Sequence, residues 1–211
     1  MNPLMTKRDF DAEAATWDSV APRRLLALGL AEAILQAVEL RATDTLLDYG
    51  AGSGLVSLRL SPQVAKVICA DSSRGMLDVI EGKLSQAGIE NVSTLLLDLE
   101  RGQRAPKVDV IVSTMALHHI QDTAALVAAL RAALLPGGRV ALADLDTEAG
   151  DFHQDNTGVA HFGFEREALM GLLRAAGFEE LSAKTAYEMV KPVQGTDKTF
   201  TMFLITGRVP S

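Results

Sequence analysis

The stretch Leu46-Leu47-Asp48-Tyr49-Gly50-Ala51-Gly52-Ser53-Gly54 constrains this chain more than any other. A short apolar run of strand character leads into it, and a helical pattern leads out. Glycine at three alternate positions permits positive φ and lets a ligand approach bare backbone. The amides that open the following helix point toward such a ligand. A tight turn alone needs fewer glycines. A dinucleotide fingerprint would place glycine at the sixth position, where Leu55 stands. A P-loop would need Gly-Lys-Ser/Thr, which does not follow. The pattern is an acid, then x-Gly-x-Gly-x-Gly.

The rest of the chain repeats the strand–helix alternation. Apolar residues at helical spacing predict a helix over Pro22–Leu40, with Pro22 in its first turn. Strands are predicted at Thr45–Asp48, Lys66–Ala70, Val92–Leu97, Val108–Ser113 and Arg139–Ala143. Between them come helices over Gly54–Leu60, from Ser72 or Ser73 to Ala87, and from Asp122 or Thr123 to Leu135. Gly88 and Pro136-Gly137-Gly138 are the stop signals. Short apolar strands with helical crossovers imply a parallel sheet covered on both faces. A loop over Leu145–Phe164 follows, then a helix over Glu165–Ala176. Leu181–Val190 and Thr199–Gly207 have no helix between them, so they should pair antiparallel across Lys191–Lys198. The expected fold is α/β, doubly wound and Rossmann-like. Its mostly parallel seven-stranded sheet ends in an antiparallel strand pair.

Composition narrows the function classes. In 211 residues, 20 Lys and Arg stand against 27 Asp and Glu, giving a net charge of −7. No nucleic-acid partner is expected from that balance. The single Cys69 excludes an intrachain disulfide and a multi-cysteine metal site, and it favours a reducing compartment. The opening residues lack the apolar core of a signal peptide, and no apolar run is long enough to span a bilayer. A cytoplasmic protein without membrane insertion is the expectation. Oligomeric state is not readable.

Two acids extend the glycine motif. Asp71 closes the second strand about twenty residues after the first glycine, the spacing of a ribose-binding carboxylate. Asp98 closes the third strand, where it can accept from an exocyclic amine while the Leu99 amide meets a ring nitrogen. On these motifs, with Val108–Ser113 and Leu135-Pro136-Gly137-Gly138, residues 40–207 resemble a class I S-adenosylmethionine-dependent methyltransferase. Phe10–Asp18, which includes the lone Trp17, is similar to the opening of the small-molecule branch around ubiquinone/menaquinone-biosynthesis enzymes. The resemblance implies a core over 41–211 and, within the same domain, a lid segment and first helix over 1–40. It implies S-adenosyl-L-methionine as cofactor and S-adenosyl-L-homocysteine as product. The implied cofactor contacts are Trp17, Asp48, Gly50, Ala51, Gly52, Asp71, Ser72, Met76, Asp98, Leu99, Ser113 and Thr114.

The acceptor side carries a weaker signal. The fourth strand runs into Ser113-Thr114-Met115-Ala116-Leu117-His118-His119, without the Asn/Asp-Pro-Pro-aromatic sequence that resembles amino-methylating enzymes. All four histidines (118, 119, 153 and 161) fall in the two segments expected to wall the acceptor pocket. His118, His153 and His161 are the candidate catalytic residues, as general bases. A His/Asp metal site lacks regular ligand spacing, so no metal is expected. His119 is expected to pack the loop. The predicted activity is O- or C-methylation of a small-molecule acceptor. The competing readings are a non-catalytic S-adenosylmethionine-binding protein and an NAD(P)-dependent oxidoreductase.

Overall fold

A computed structural model describes residues 8–211. The opening seven residues, on which part of the expected lid and the expectation of no signal peptide rest, lie outside the described residues. α1 (Phe10–Glu13) and a 3₁₀ turn (Ala14–Ser19) precede α2 (Ala21–Ala37). The alternating core follows: β1 (Thr45–Tyr49), α3 (Leu55–Leu60), β2 (Lys66–Asp71), α4 (Arg74–Ala87), β3 (Val92–Leu96), β4 (Val108–Thr114), α5 (Thr123–Ala133), β5 (Leu134–Leu145) and α6 (Arg166–Ala175). β6 (Glu179–Val193) and β7 (Thr196–Arg208) close the chain. No helix among the described residues is long and apolar enough to cross a membrane.

The seven strands form one sheet in the order β3-β2-β1-β4-β5-β7-β6. β1 to β5 pair parallel, and β7 pairs antiparallel with both β5 and β6. Strand periodicity explains the two-sided core, because successive side chains point to opposite faces. Leu46, Val67, Cys69, Val110 and Val112 pack with Leu30 and Ile34 of α2 and Ile80 of α4. Their neighbours Leu47, Ile68, Ala70 and Ile111 pack on the other face with Leu126 and Leu130 of α5 and Leu173 of α6. Continuous apolar strands are what a sheet covered on both faces requires.

The largest boundary differences from the sequence expectation fall in two places, and α2 also ends at Ala37, short of Leu40, while β5 runs well beyond Arg139–Ala143. Helix α5 stops at Ala133, short of Leu135, and Leu134 is already extended and paired with Val108. Pro136 disfavours helical backbone at the residue before it, and Leu134 gains full burial as a strand residue. The closing hairpin is longer than Leu181–Val190 and Thr199–Gly207. Its strands run to Val193 and from Thr196, joined only by Gln194 (φ 49°) and Gly195 (φ 82°). Two consecutive positive φ values suit a two-residue hairpin turn. Pro192 is tolerated inside β6 because β6 is the sheet edge.

From β1 the chain winds outward to β2 and β3, then returns to place β4 on the opposite side of β1. That reversal opens a crevice beyond the carboxyl ends of β1 and β4, where ligands bind in sheets of this kind.

Candidate functional site

A cavity of about 630 Å³ occupies that crevice. The turn after β1 forms its floor, with Gly50, Gly52 and Gly54 at φ of 71°, 55° and 81°. Each glycine meets a different limit. A Cβ on Gly50 would lie 2.5 Å from the Cβ of Ala116, where the chain leaves β4. On Gly54 it would lie 2.9 Å from Cγ1 of Ile80 in α4, whereas at Gly52 it would enter open space. Gly50 therefore lets the two crossing turns touch, and Gly52 leaves bare backbone on the cavity. Gly50→Ala is expected to cost about 1–3 kcal/mol from positive φ and overpacking together, read as a lowered thermal midpoint. An unchanged midpoint would contradict that close approach.

Asp71, at the end of β2, lines the cavity beside this turn. Its Oδ2 accepts from the Gly52 amide at 2.8 Å and its Oδ1 from the Ser73 amide at 2.8 Å. Burial raises its pKa, and those backbone amides oppose the rise. Each carboxylate oxygen keeps a further lone pair, so the pair of oxygens can still accept from two hydroxyls. Ser73 caps α4 through the Met76 amide, which seats Met76 on the same wall.

The N-terminal segment forms another wall. Phe10 meets Trp17 edge-on at 5.9 Å and His119 at 5.1 Å. Asp11 ties the segment to α4 by accepting from the Ser73 hydroxyl and the Gly75 amide. Asp18 ties it to the glycine turn by accepting from the Ser53 hydroxyl, and to α4 through Lys83.

Three histidine rings cluster on the side facing β5. His118 lies 4.2 Å from His119 and 5.0 Å from His153, centre to centre. Nδ1 of His118 is 2.6 Å from Oδ1 of Asp144, both side chains being fully buried. Burial alone would raise the Asp144 pKa. The charge and hydrogen bonds of His118 and the Leu145 amide outweigh it and hold the carboxyl below its usual range. An ionised carboxylate only accepts, so Nδ1 carries the hydrogen, and the lone pair that a His118 imidazole offers as a base is the one on Nε2. That Nε2 is buried and has no hydrogen-bond partner among the described residues; the same holds for Nε2 of His153. Burial, then repulsion from His118, lowers His119 to about 4 and His153 to about 3. These two rings are therefore neutral at physiological pH. His119 also contacts the Gly158 carbonyl through Nδ1 at 2.8 Å, pinning the long loop.

Of the residues singled out from the sequence, Trp17, Gly50, Ala51, Gly52, Asp71, Ser72, Met76, Thr114, His118 and His153 line this one cavity. Five stand off its wall. Asp48 lies beneath the glycine turn, where Oδ2 accepts from Ser57 and Oδ1 has no partner; burial pushes its pKa up to about 7. Ser113 donates to the Tyr49 carbonyl and so bridges β4 to β1. Asp98 caps a short turn through the Glu100 amide, and Leu99 is buried in that turn, while their neighbour Leu97 reaches the cavity. His161 corrects the expectation that all four histidines share the pocket. Its Nε2 sits 2.9 Å from the Ile120 carbonyl, and the ring lines a separate shallow depression beside α5 and α6. The His161 amide donates to the His118 carbonyl, and the ring is held in that depression by the Ile120 carbonyl and the Thr123 hydroxyl. Asp144 was not singled out, although it ends β5 much as Asp71 ends β2.

Comparison with known proteins places this geometry in context. A family model described as a methyltransferase domain matches residues 23–183. An uncharacterized methyltransferase of Schizosaccharomyces pombe is 33% identical over 148 residues, covering 63% of this chain and 52% of that protein. The 27-O-demethylrifamycin SV methyltransferase of Amycolatopsis mediterranei is 25% identical over 196 residues, covering 87% of this chain and 69% of the other. A crystal structure of a SAM-dependent methyltransferase from Aquifex aeolicus shares the fold, with a TM-score of 0.69 and 20% identity over 94% of this chain and 98% of that one. The chain spans about half the length of several curated relatives it matches.

Proposed function

The chain belongs to the class I S-adenosylmethionine-dependent methyltransferase family, and from that membership we propose that it methylates a small-molecule acceptor on oxygen or carbon, with His118 taking the acceptor's proton. The residues present fit the cofactor. Gly52 offers bare backbone on the cavity, and Asp71 offers two acceptor oxygens in its wall. Met76, Leu97 and Trp17 add apolar surface for a purine and a thioether chain. Asp71 would hold the ribose, and the Gly50–Gly52 backbone the amino-acid end. When bound, S-adenosylmethionine would supply a methyl group activated by a positively charged sulfur.

The chain's own residues have two tasks. The first is positioning and exclusion of water, which supply much of the catalysis in a displacement of this type. Phe10 and Trp17 line one side of the cavity, which supports reading the N-terminal segment as a lid. The second is removal of one proton when the acceptor is a hydroxyl or a carbon acid. The observation that carries this role is the unpartnered Nε2 of His118, buried on a cavity-lining residue while Nδ1 is spent on Asp144. Asp144 is a positioning residue that fixes the tautomer. A small acceptor, as opposed to a nucleic acid, is supported by the net charge of −7 and by the walled cavity. A cytoplasmic setting is supported by the lone, buried Cys69.

Calorimetry with S-adenosylhomocysteine and NADH, followed by a methyl-transfer screen over hydroxylated metabolites, tests the reading. Binding of the first and transfer to at least one metabolite are expected. Binding of NADH alone would defeat it. Cofactor binding with no transfer across the screen would mark a binding protein instead.

A further inference from the structure

The glycine turn and Asp71 lie on the β1–β2 side of the cavity. Its other end reaches the sheet edge at β6 and has a different character. Leu26, Leu30, Phe152 and Met189 give it apolar walls. Set into them are three cations, Arg8, Arg23 and Lys191, whereas among the described residues the lining carboxylates are Asp71, on the cofactor side, and Asp155.

The cations are unequally satisfied. Arg8 grips both oxygens of Glu13 at 2.6 and 2.8 Å, and Arg23 reaches the same carboxylate at 3.4 Å while stacking on Trp17. One carboxylate thus serves two guanidinium groups. Lys191 has none within 4.0 Å among the described residues. Its ammonium donates to the Phe152 carbonyl and lies 4.2 Å from the centre of that ring. Glu148, the acid that acts on it from farther off, is already accepting from the Asp151 and Phe152 amides. Asp155 is exposed and bonded to Thr157. Burial and the charge of Arg23 both work against the Lys191 ammonium. A half-buried cation in the field of another cation gains most from an anion that arrives with the ligand.

We propose that the acceptor is an apolar carboxylic acid whose carboxylate is held by Lys191, with Arg23 lining the same cavity, and whose hydrocarbon body lies between Leu26, Leu30, Phe152 and Met189. The carboxylate is a handle and is distinct from the atom methylated. Lys191 and the guanidinium charge that Glu13 leaves over when it serves both Arg8 and Arg23 favour an anion, and the apolar walls favour a carboxylate, which carries less charge to desolvate than a phosphate dianion. This inference rests on the methyl-transfer reading and adds the chemical class of its acceptor.

The test measures binding of benzoate, cinnamate and octanoate, each against its primary amide, to the full chain saturated with S-adenosylhomocysteine. At least one acid is expected to bind about tenfold or more tightly than its amide, as a charge-assisted bond implies. Lys191→Met should bring that acid down to its amide, leaving amide and S-adenosylhomocysteine affinities unchanged, and Lys191→Arg should retain most of the preference. Equal binding of every acid and its amide overturns the proposal, as does a preference that survives Lys191→Met. The wild-type comparison decides the matter even where a variant fails to fold. Failure to bind S-adenosylhomocysteine at all would defeat the methyl-transfer reading itself, which is a separate outcome.

Discussion

His118→Asn is expected to lower kcat by about 10²–10⁴-fold, the span of a lost general base, while S-adenosylhomocysteine binds as before. Asparagine is the informative replacement. Its amide NH₂ can stand near the position of Nδ1 and keep the hydrogen bond to Asp144, whereas nothing replaces Nε2. Alanine would confuse two effects, because a buried carboxylate stripped of its partner costs about 3–5 kcal/mol of stability. A structural role and a proton-accepting role then separate by acceptor chemistry. An acceptor already ionised at the assay pH has no proton to lose, so its turnover should fall far less than that of a neutral hydroxyl. Asp144→Asn should act in the same direction through the ring's tautomer, with KM little changed. A variant His118→Asn that turns over a neutral hydroxyl acceptor within about threefold of wild type would remove His118 from the chemistry.

The second large effect is on cofactor affinity. Asp71→Ala is expected to weaken S-adenosylhomocysteine binding by about 10- to 100-fold, which corresponds to losing about 1.5–3 kcal/mol of hydrogen bonding to a charged acceptor. Two causes add. The ribose hydroxyls lose their acceptor, and the Gly52 amide loses the oxygen that orients the glycine turn at 2.8 Å. Asp71→Asn keeps one acceptor oxygen and should fall between wild type and alanine. Calorimetry checks both variants, and a dissociation constant unchanged in Asp71→Ala would refute the ribose assignment.

The parallel core was legible because its signals are local. Each buried strand is a short apolar run, and each helix that follows carries a cap or stop close in sequence, such as Ser73 before α4 and Gly88 after it. Asp71 was legible for the same reason, since its offset from the glycine turn is set by one β-α-β unit. The misplaced boundaries lie where a distant partner decides. Leu134 left the helix to pair with Val108, and Pro192 entered a strand because β6 is an edge.

By itself, the sequence determined which backbone could bend through the turn after β1, which faces of each strand were apolar, and where a carboxylate would end β2. Those are properties of neighbouring residues and of side-chain period. Only the tertiary structure decided which histidines share a cavity. His118, His119 and His153 come from two segments that meet across the end of β5, while His161 lines a separate depression beside α5 and α6. It also decided that Asp144 pairs with His118, 26 residues away, and that Lys191 from the edge strand reaches the loop after β5 without a carboxylate of its own. Such partnerships depend on how strands are ordered in the sheet, and that order is set by packing over the whole domain.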